Sequence, residues 1–361
     1  MALEPPEAPR RPRLTPPMAD ARRAITDCLE AEDAARPGGI APGSLFLIAV
    51  SGGADSLALA YAASFVFARA GHRVEAIIID HQLQHDSAEV ALTAQETLKT
   101  MGVDAHIVPV DIGPMDIRSG DSESGDVMSR EVAGNAGNIE SRARDARYEA
   151  LSAVAASRGA TAVLLGHTKD DQAETVLLGL TRGSGPQSIA GMQSVSGLWW
   201  RPFLGLSRAA TEQVCVDAGL AWWSDPHNSE DRFVRPRIRH RVMPVLEQQL
   251  GPGVADALVR TAELVRQDGE VLDQMANDVY ESLGDQASAG IVPVGLWQSQ
   301  PAAVVSRVLR LVAKNAVGSH LSHTHTEALM RLVTHWRGQG PVDIPGGRVV
   351  RQGDELRFSP Q

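Results

Sequence analysis

Short, uninterrupted apolar runs punctuate the first two-thirds of the chain: LFLIAV at 45–50, VEAIIID at 74–80, 105–110, and TAVLL at 161–165. Runs of this length that are not alternating fit strands buried on both faces of a parallel sheet. Between them the apolar positions recur at helical spacing, in LALAYAASFVFARA after Asp55, from Asp86 to Met101 and from Glu140 to Ser157. Strand and helix alternate, which predicts an α/β fold with a doubly wound parallel sheet. Residues 248–338 are expected to be mostly helical, with Leu258, Leu264 and Val265 near helical spacing, and Pro341 to Phe358 to form short strands around a PGG turn. The expected organisation is an N-terminal extension over 1–40, an α/β domain over 41–222 and a mainly helical domain with short terminal strands over 223–361. Residues 1 to about 18 are rich in Pro and Arg, which predicts disorder there and a folded part starting near residue 20. The Gly-, Ser- and acid-rich stretch 113–138 is expected to be a mobile insertion. No internal repeat is visible.

In a doubly wound sheet ligands bind beyond the carboxyl ends of the strands, where SGGADS (51–56), Asp80-His81 and Gly166-His167 all emerge. The first is the most informative. A strand that runs into adjacent glycines and then a helix start suits an anion: Gly52 and Gly53 let the backbone approach closely, while Ser51, Ser56 and the first amides of the helix supply donors. The lysine of a Walker loop is missing. A glycine-rich turn without a ligand is the plain alternative.

Two further segments carry candidate chemistry. In GHTKDDQAETVLLGLTRGSG (166–185), a helix starting near Asp170 puts Asp171 and Glu174 on one face, where paired carboxylates can hold an ammonium group or a metal. Acids in a first helical turn also complement the helix dipole and face water, so that reading stays open. NIESRARDARYEAL (138–151) projects Arg144 and Arg147 from one helical turn, suited to phosphate, carboxylate or RNA. Arg232, Arg235, Arg237, Arg239 and Arg241 cluster further on, enough for several phosphate contacts.

Composition narrows the class. A hydrophobic content of 43% with a formal net charge of -10 describes an ordinary soluble protein and argues mildly against nucleic acid, although a local basic face can coexist with an acidic whole. No apolar run is long enough to span a membrane, and MALEPPEAPRRPRLTPP lacks the apolar middle of a signal peptide, so a cytoplasmic location is expected. Cys28 and Cys215 form neither a disulfide framework nor a CxxC pair. His320, His323 and His325 suggest a metal cluster, but ordinary surface or core histidines fit them better, and Trp199-Trp200 and Trp222-Trp223 fit core packing better than base stacking.

SGGADS resembles the signature of the PP-loop ATP pyrophosphatases. Together with IDHQL (79–83), NIESRARDARY (138–148), GHTKDDQAETVLLGLTRGSG, IAGM (189–192), RPFLGLSR (201–208) and DPHNSEDRFVRPRIRHRVMPVLE (225–247), it occurs in the order seen in tRNA(Ile)-lysidine synthases. The resemblance implies ATP and Mg2+ as cofactors and ligation of free L-lysine to C2 of the wobble cytidine of a CAU-anticodon isoleucine tRNA through an adenylated intermediate. It further implies that Ser51, Gly52, Gly53, Ala54, Asp55, Ser56, His167 and Arg144 bind ATP, that Asp55 holds magnesium, and that Arg147 serves the α-phosphate. On the same footing Asp171 and Glu174 take the lysine, and Arg235 and Arg239 contact tRNA, joined by Arg237 from the basic cluster. No membrane or DNA partner is implied. Three positions depart from the family pattern: Gln82 where glycine is usual, His227 in place of Ser, and Pro236 in place of Asn. A PP-loop thiolase, an amidating synthetase and an ATP-gated RNA-binding module remain as rivals. The first generally needs cysteines or an iron–sulfur site.

Overall fold

The computed structural model describes residues 14–80, 82, 87–110, 128–183, 185–224 and 233–360, with 128–141 as helical backbone. The expected disorder at residues 1–13, His81, most of the 113–138 insertion, and His227 and Arg232 lie outside the described residues. The chain divides into two compact units, Met1–Thr175 with Met192–Val259, and Val176–Gly191 with Arg260–Gln361.

In chain order the first unit begins with α1 (Pro16–Ala35), β1 (Leu45–Val50), α2 (Ala54–Arg69), β2 (Arg73–Asp80), α3 (Ser87–Thr100), β3 (Asp104–Pro109), α4 (Met128–Arg158) and β4 (Ala162–Leu164). There follow α5 (Lys169–Arg182) up to Thr175, β5 (Val195–Ser196), β6 (Trp199–Trp200), α7 (Arg208–Ala218), α8 (Val234–Arg237), a π-helical turn at Ile238–Val242, and α9 (Met243–Leu250); the rest of α5 and α6 (Pro186–Ile189) belong to the second unit. The sheet runs in the order β3-β2-β1-β4-β6-β5, parallel except for β5 against β6. Strand order therefore reverses between β1 and β4, whose carboxyl ends deliver SGGADS and Gly166-His167.

Side-chain alternation assigns the two faces. Phe46, Ile48 and Val50 of β1, Ala76 and Ile78 of β2, and Ala162 and Leu164 of β4 pack with α1, α2, α3 and α7. Their neighbours Leu45, Leu47, Ile77 and Val163 pack with Leu151 and Ala155 of α4. Both faces are covered, which is why the strands read as continuous apolar runs. Trp200 is buried and Trp222 packs against the same core, as the sequence suggested.

Two sequence expectations change. Helix α1 starts at Pro16, not near residue 20, and seats Met18, Ala21, Ile25 and Leu29 in the core. This i, i+3, i+7, i+11 stripe lies inside the segment expected to be a partly disordered extension. Its flanking prolines at the first helical positions start the helix instead of breaking it. Helix α4 begins at Met128, so the last part of the expected 113–138 insertion is regular helix.

The second unit contains α10 (Val254–Leu283) from Arg260 onward, α11 (Asp285–Ser288), β7 (Ile291–Pro293), α12 (Leu296–Ser299), α13 (Ala302–Val312), α14 (His323–Thr334), β8 (Val342–Ile344), β9 (Gly347–Gln352) and β10 (Glu355–Pro360). Val304, Val305, Val308, Leu309 and Val312 of α13 meet Leu329 and Leu332 of α14 and Val349, Leu356 and Phe358 of an antiparallel sheet ordered β7-β10-β9-β8. His325 caps α14 reciprocally with Ser322, and no group of three or more metal-ligating side chains occurs among the described residues.

Ile25 is 1% exposed, so Ile25→Ala should lower stability by about 2–5 kcal/mol in urea denaturation. A loose extension would lose almost nothing.

Candidate active site

Three elements build the site. The turn after β1 closes on itself: the Ser51 amide donates to Ser56 Oγ at 3.2 Å, and Ser56 Oγ donates to the Gly53 carbonyl at 2.9 Å. Gly52 has φ +83°, a conformation open to glycine, and Gly53 caps α2, so Ala54, Asp55 and Ser56 form its first turn. The Trp223 amide donates to the Gly52 carbonyl at 3.0 Å and ties a later segment across the loop. After β4, Gly166 lies directly against this turn. A Cβ there would sit 3.1 Å from the Asp55 carbonyl, too tight for any side chain to enter without a shift. The loop and the His167 segment are thereby held at contact distance across the switch point.

Helix α5 supplies the carboxylates. Asp171 Oδ2 accepts from the Thr168 amide at 2.8 Å and from its hydroxyl at 3.0 Å, capping the helix. Its Oδ1 accepts from Arg208 Nη2 at 2.8 Å and Arg239 Nη2 at 3.2 Å. Arg239 Nε donates to Glu174 Oε1 at 2.7 Å, so one guanidinium spans both acids and confirms that they share a face. Asp171 thus caps the helix with one oxygen and meets arginines with the other, and neither acid faces open water.

Arg208 is the residue that the sequence reading missed. Its Nε lies 3.3 Å from Asp55 Oδ2 while its Nη2 holds Asp171, and its amide donates to Asp170 Oδ2 at 2.8 Å. It therefore joins the loop to α5. Thr211, one turn on, donates to Asp55 Oδ1. A signal did exist in RPFLGLSR: Arg208 opens α7 directly after its Ser207 cap, and a cation at a helix N-terminus is unfavourable unless acids offset it.

The electrostatics separate the three acids. Burial pushes the Asp55 carboxyl up, against Thr211 and Arg208, and the net displacement is upward. Burial also lifts Glu174, only partly opposed by Arg239, and its side chain is 2% exposed. At Asp171 burial is outweighed by Arg208, the Thr168 amide, His167 and Arg239, which together hold the carboxyl below the usual range. Burial drives His167 down to about 4, and its Nδ1 is buried without a hydrogen-bond partner.

The remaining predicted residues divide. Arg144 and Arg147 are exposed on α4, where Arg144 Nη2 donates to the Tyr148 hydroxyl at 3.3 Å and Tyr148 meets Trp199 edge-on. Arg235 reaches the carboxylate group, its Nη1 3.9 Å from Glu174 Oε2, and Arg237 is half-buried. Arg235 and Arg239 thus lie on acids of α5 and not on an outer basic face. Cys28 and Cys215 are both pushed up to about 12, by burial first and then by Glu32 and Asp55 respectively, so neither is a thiolate at neutral pH. Gln82 has φ +53°, which accounts for glycine being the usual residue there.

The chain matches the PP-loop domain family over residues 24–246 and the TilS substrate binding domain family over residues 293–357. The tRNA(Ile)-lysidine synthase of Leifsonia xyli subsp. xyli is 46% identical over 328 residues, covering 90% of this chain and 93% of the relative. That of Thermobifida fusca is 42% identical over 341 residues, covering 94% and 96%. Among solved structures, the U34-tRNA thiolase NcsA from Methanococcus maripaludis with its iron–sulfur cluster aligns with a TM-score of 0.51 at 16% identity, over 69% of this chain and 80% of that one. At that identity the likeness speaks to the fold alone. From the two domain matches and the curated relatives, the chain belongs to the tRNA(Ile)-lysidine synthase family, ATP-dependent ligases built on a PP-loop domain.

Proposed function

We propose that the protein ligates L-lysine to C2 of the wobble cytidine of a CAU-anticodon isoleucine tRNA, forming lysidine and changing codon recognition from AUG to AUA. The observation that carries this reading is the junction of a phosphate-suited loop with two paired carboxylates through one arginine, Arg208. An anion site and a cation site lie side by side, as ATP and an amine nucleophile require.

In the first half-reaction the cytidine O2 attacks the α-phosphorus of ATP, the bond to the β-phosphate breaks and pyrophosphate leaves. The turn from Ser51 to Ser56 offers backbone amides and hydroxyls to the phosphates, and neutral His167 offers an unpartnered Nδ1 to the nucleotide. Arg147, with Arg144, supplies charge to the α-phosphate from α4. Asp55 fits Mg2+: it is a hard oxygen donor at the loop, 23% exposed, with side chains, Thr211 and Arg208, on its two oxygens. When bound, Mg2+ offsets the charge gathering on pyrophosphate.

In the second half-reaction the lysine ε-amine attacks C2, the C2–O bond breaks, AMP leaves with that oxygen, and the nitrogen sheds a proton. An ε-ammonium with an ordinary pKa near 10.4 must first lose a proton. The two acids suit different tasks: Asp171, held low, stays anionic and orients the amine, whereas Glu174, lifted by burial, is the better proton acceptor. We assign the catalytic role to residues 41–222 and tRNA binding to residues 223–361, including Arg235, Arg237 and Arg239. The match of 293–357 to a substrate binding domain family supports the latter. The two high-pKa cysteines disfavour sulfur transfer.

Radiolabelled L-lysine should enter isoleucine tRNA with a CAU anticodon, in the presence of ATP and Mg2+, and not a methionine tRNA sharing that anticodon. Pyrophosphate release without lysine incorporation would point to another nucleophile. Asp171→Asn should weaken lysine use while largely sparing pyrophosphate release, whereas Arg147→Ala should slow adenylation by about 10²–10³-fold. Equal loss of both half-reactions in both variants would refute this division.

The His167 ring takes a proton near pH 6.5 when unfolded and only near 4 when folded. Stability should therefore fall as pH drops across that window and be independent of this group above it. His167→Gln should flatten the fall in urea midpoint between pH 7 and pH 4.5. An unchanged slope would show that the ring titrates normally.

A further inference from the structure

The subsite assigned above to the lysine amine is already filled by a side chain of the protein itself. Glu174 has no open oxygen: Oε1 accepts from Arg239 Nε at 2.7 Å and lies 3.9 Å from Arg208 Nη1, while Oε2 faces Arg239 Nη2 at 3.3 Å and Arg235 Nη1 at 3.9 Å. Asp171 Oδ1 is taken by Arg208 and Arg239. The acids Asp55, Asp171 and Glu174 thus face the guanidinium groups of Arg208, Arg235 and Arg239, and the charges cancel. An incoming ammonium would be desolvated against a compensated cluster and gain little Coulomb energy in return. One guanidinium has to leave.

Arg208 is the anchored one. It opens a capped helix, its amide is held by Asp170, and its side chain also holds Asp55. Arg239 sits in the π-helical turn Ile238–Val242, between α8 and α9. A π turn accommodates one extra residue in a helix, and moving that extra residue along the helix rotates a side chain by about 100°. The residue most directly hydrogen-bonded to both acids is therefore carried by the element best able to change register.

We infer that Arg239 is an internal stand-in for the substrate ammonium, holding Asp171 and Glu174 until a phosphate group draws its guanidinium away, so that L-lysine binds after a phosphate-bearing substrate. The inference rests on the assignment of these acids to lysine. A planar guanidinium prefers bidentate contact with phosphate oxygens, so the exchange replaces one charge-assisted pair with another. Two substrates carry such a group, ATP and the tRNA backbone.

The test is calorimetric titration of L-lysine into the full chain alone, with a non-hydrolysable ATP analogue and Mg2+, and with tRNA(Ile) bearing CAU, beside Arg239→Ala alone. Wild type alone should bind lysine weakly, and at least one phosphate partner should tighten binding about tenfold or more, because occupancy by Arg239 lowers the competent fraction. The arm that tightens identifies the phosphate. Arg239→Ala alone should bind at the tightened level. Equal wild-type affinity in all three states overturns the inference without any variant, as does an Arg239→Ala protein that binds no more tightly than wild type. Lysine incorporation into tRNA, measured alongside, separates the failures. Incorporation with state-independent binding removes the stand-in alone, whereas no incorporation removes the functional reading and the inference with it.

Discussion

One guanidinium holds the chemistry together. Arg208 contacts Asp55 at the end of the phosphate-suited loop and Asp171 at the start of α5, while its own amide is fixed by Asp170. Each of these acids stands at a helix start, where amide dipoles favour negative charge, and each is half-buried or more, where an isolated carboxylate is costly. The arginine offsets that cost for two elements at once. Its position at the first turn of α7, poor in isolation, becomes favourable because α7 delivers it between them. Loop, helix and sheet end are therefore coupled electrostatically as well as by packing.

The packing counterpart is the contact of Gly166 with the Asp55 backbone. It sets the width of the crevice at the point where strand order reverses, and it leaves Thr168 and Asp171 one helical turn away from the loop. The ends of β1 and β4 thus fix the distance between the loop and the start of α5.

Features recorded in neighbouring residues could be read from the sequence. The buried strands, the glycine turn and the i, i+3 acid pair are local patterns, and each appears with bounds shifted by a residue or two. The start of helix α1 escaped because the Pro- and Arg-rich stretch up to about residue 18 signals disorder until a core is available to receive Met18. Arg208 and Thr211 escaped because their partner Asp55 is more than 150 residues away in the chain, a tertiary fact no spacing rule encodes. Arg235 and Arg239 belong to an evident basic cluster, but charge density does not reveal which arginines turn inward to acids. Gln82 is the converse: an odd residue in the sequence whose meaning appears only with its left-handed backbone.

The two oxygens of Asp171 do different work. Oδ2 secures the backbone at the helix start, and Oδ1 faces the arginines at the site. Because they belong to one planar carboxylate, the edge that meets the arginines inherits its aim from the cap without any separate orienting group. The start of α5 and the geometry of the acid–arginine cluster are thereby a single trait, so that a shift in the register of α5 would displace both at once.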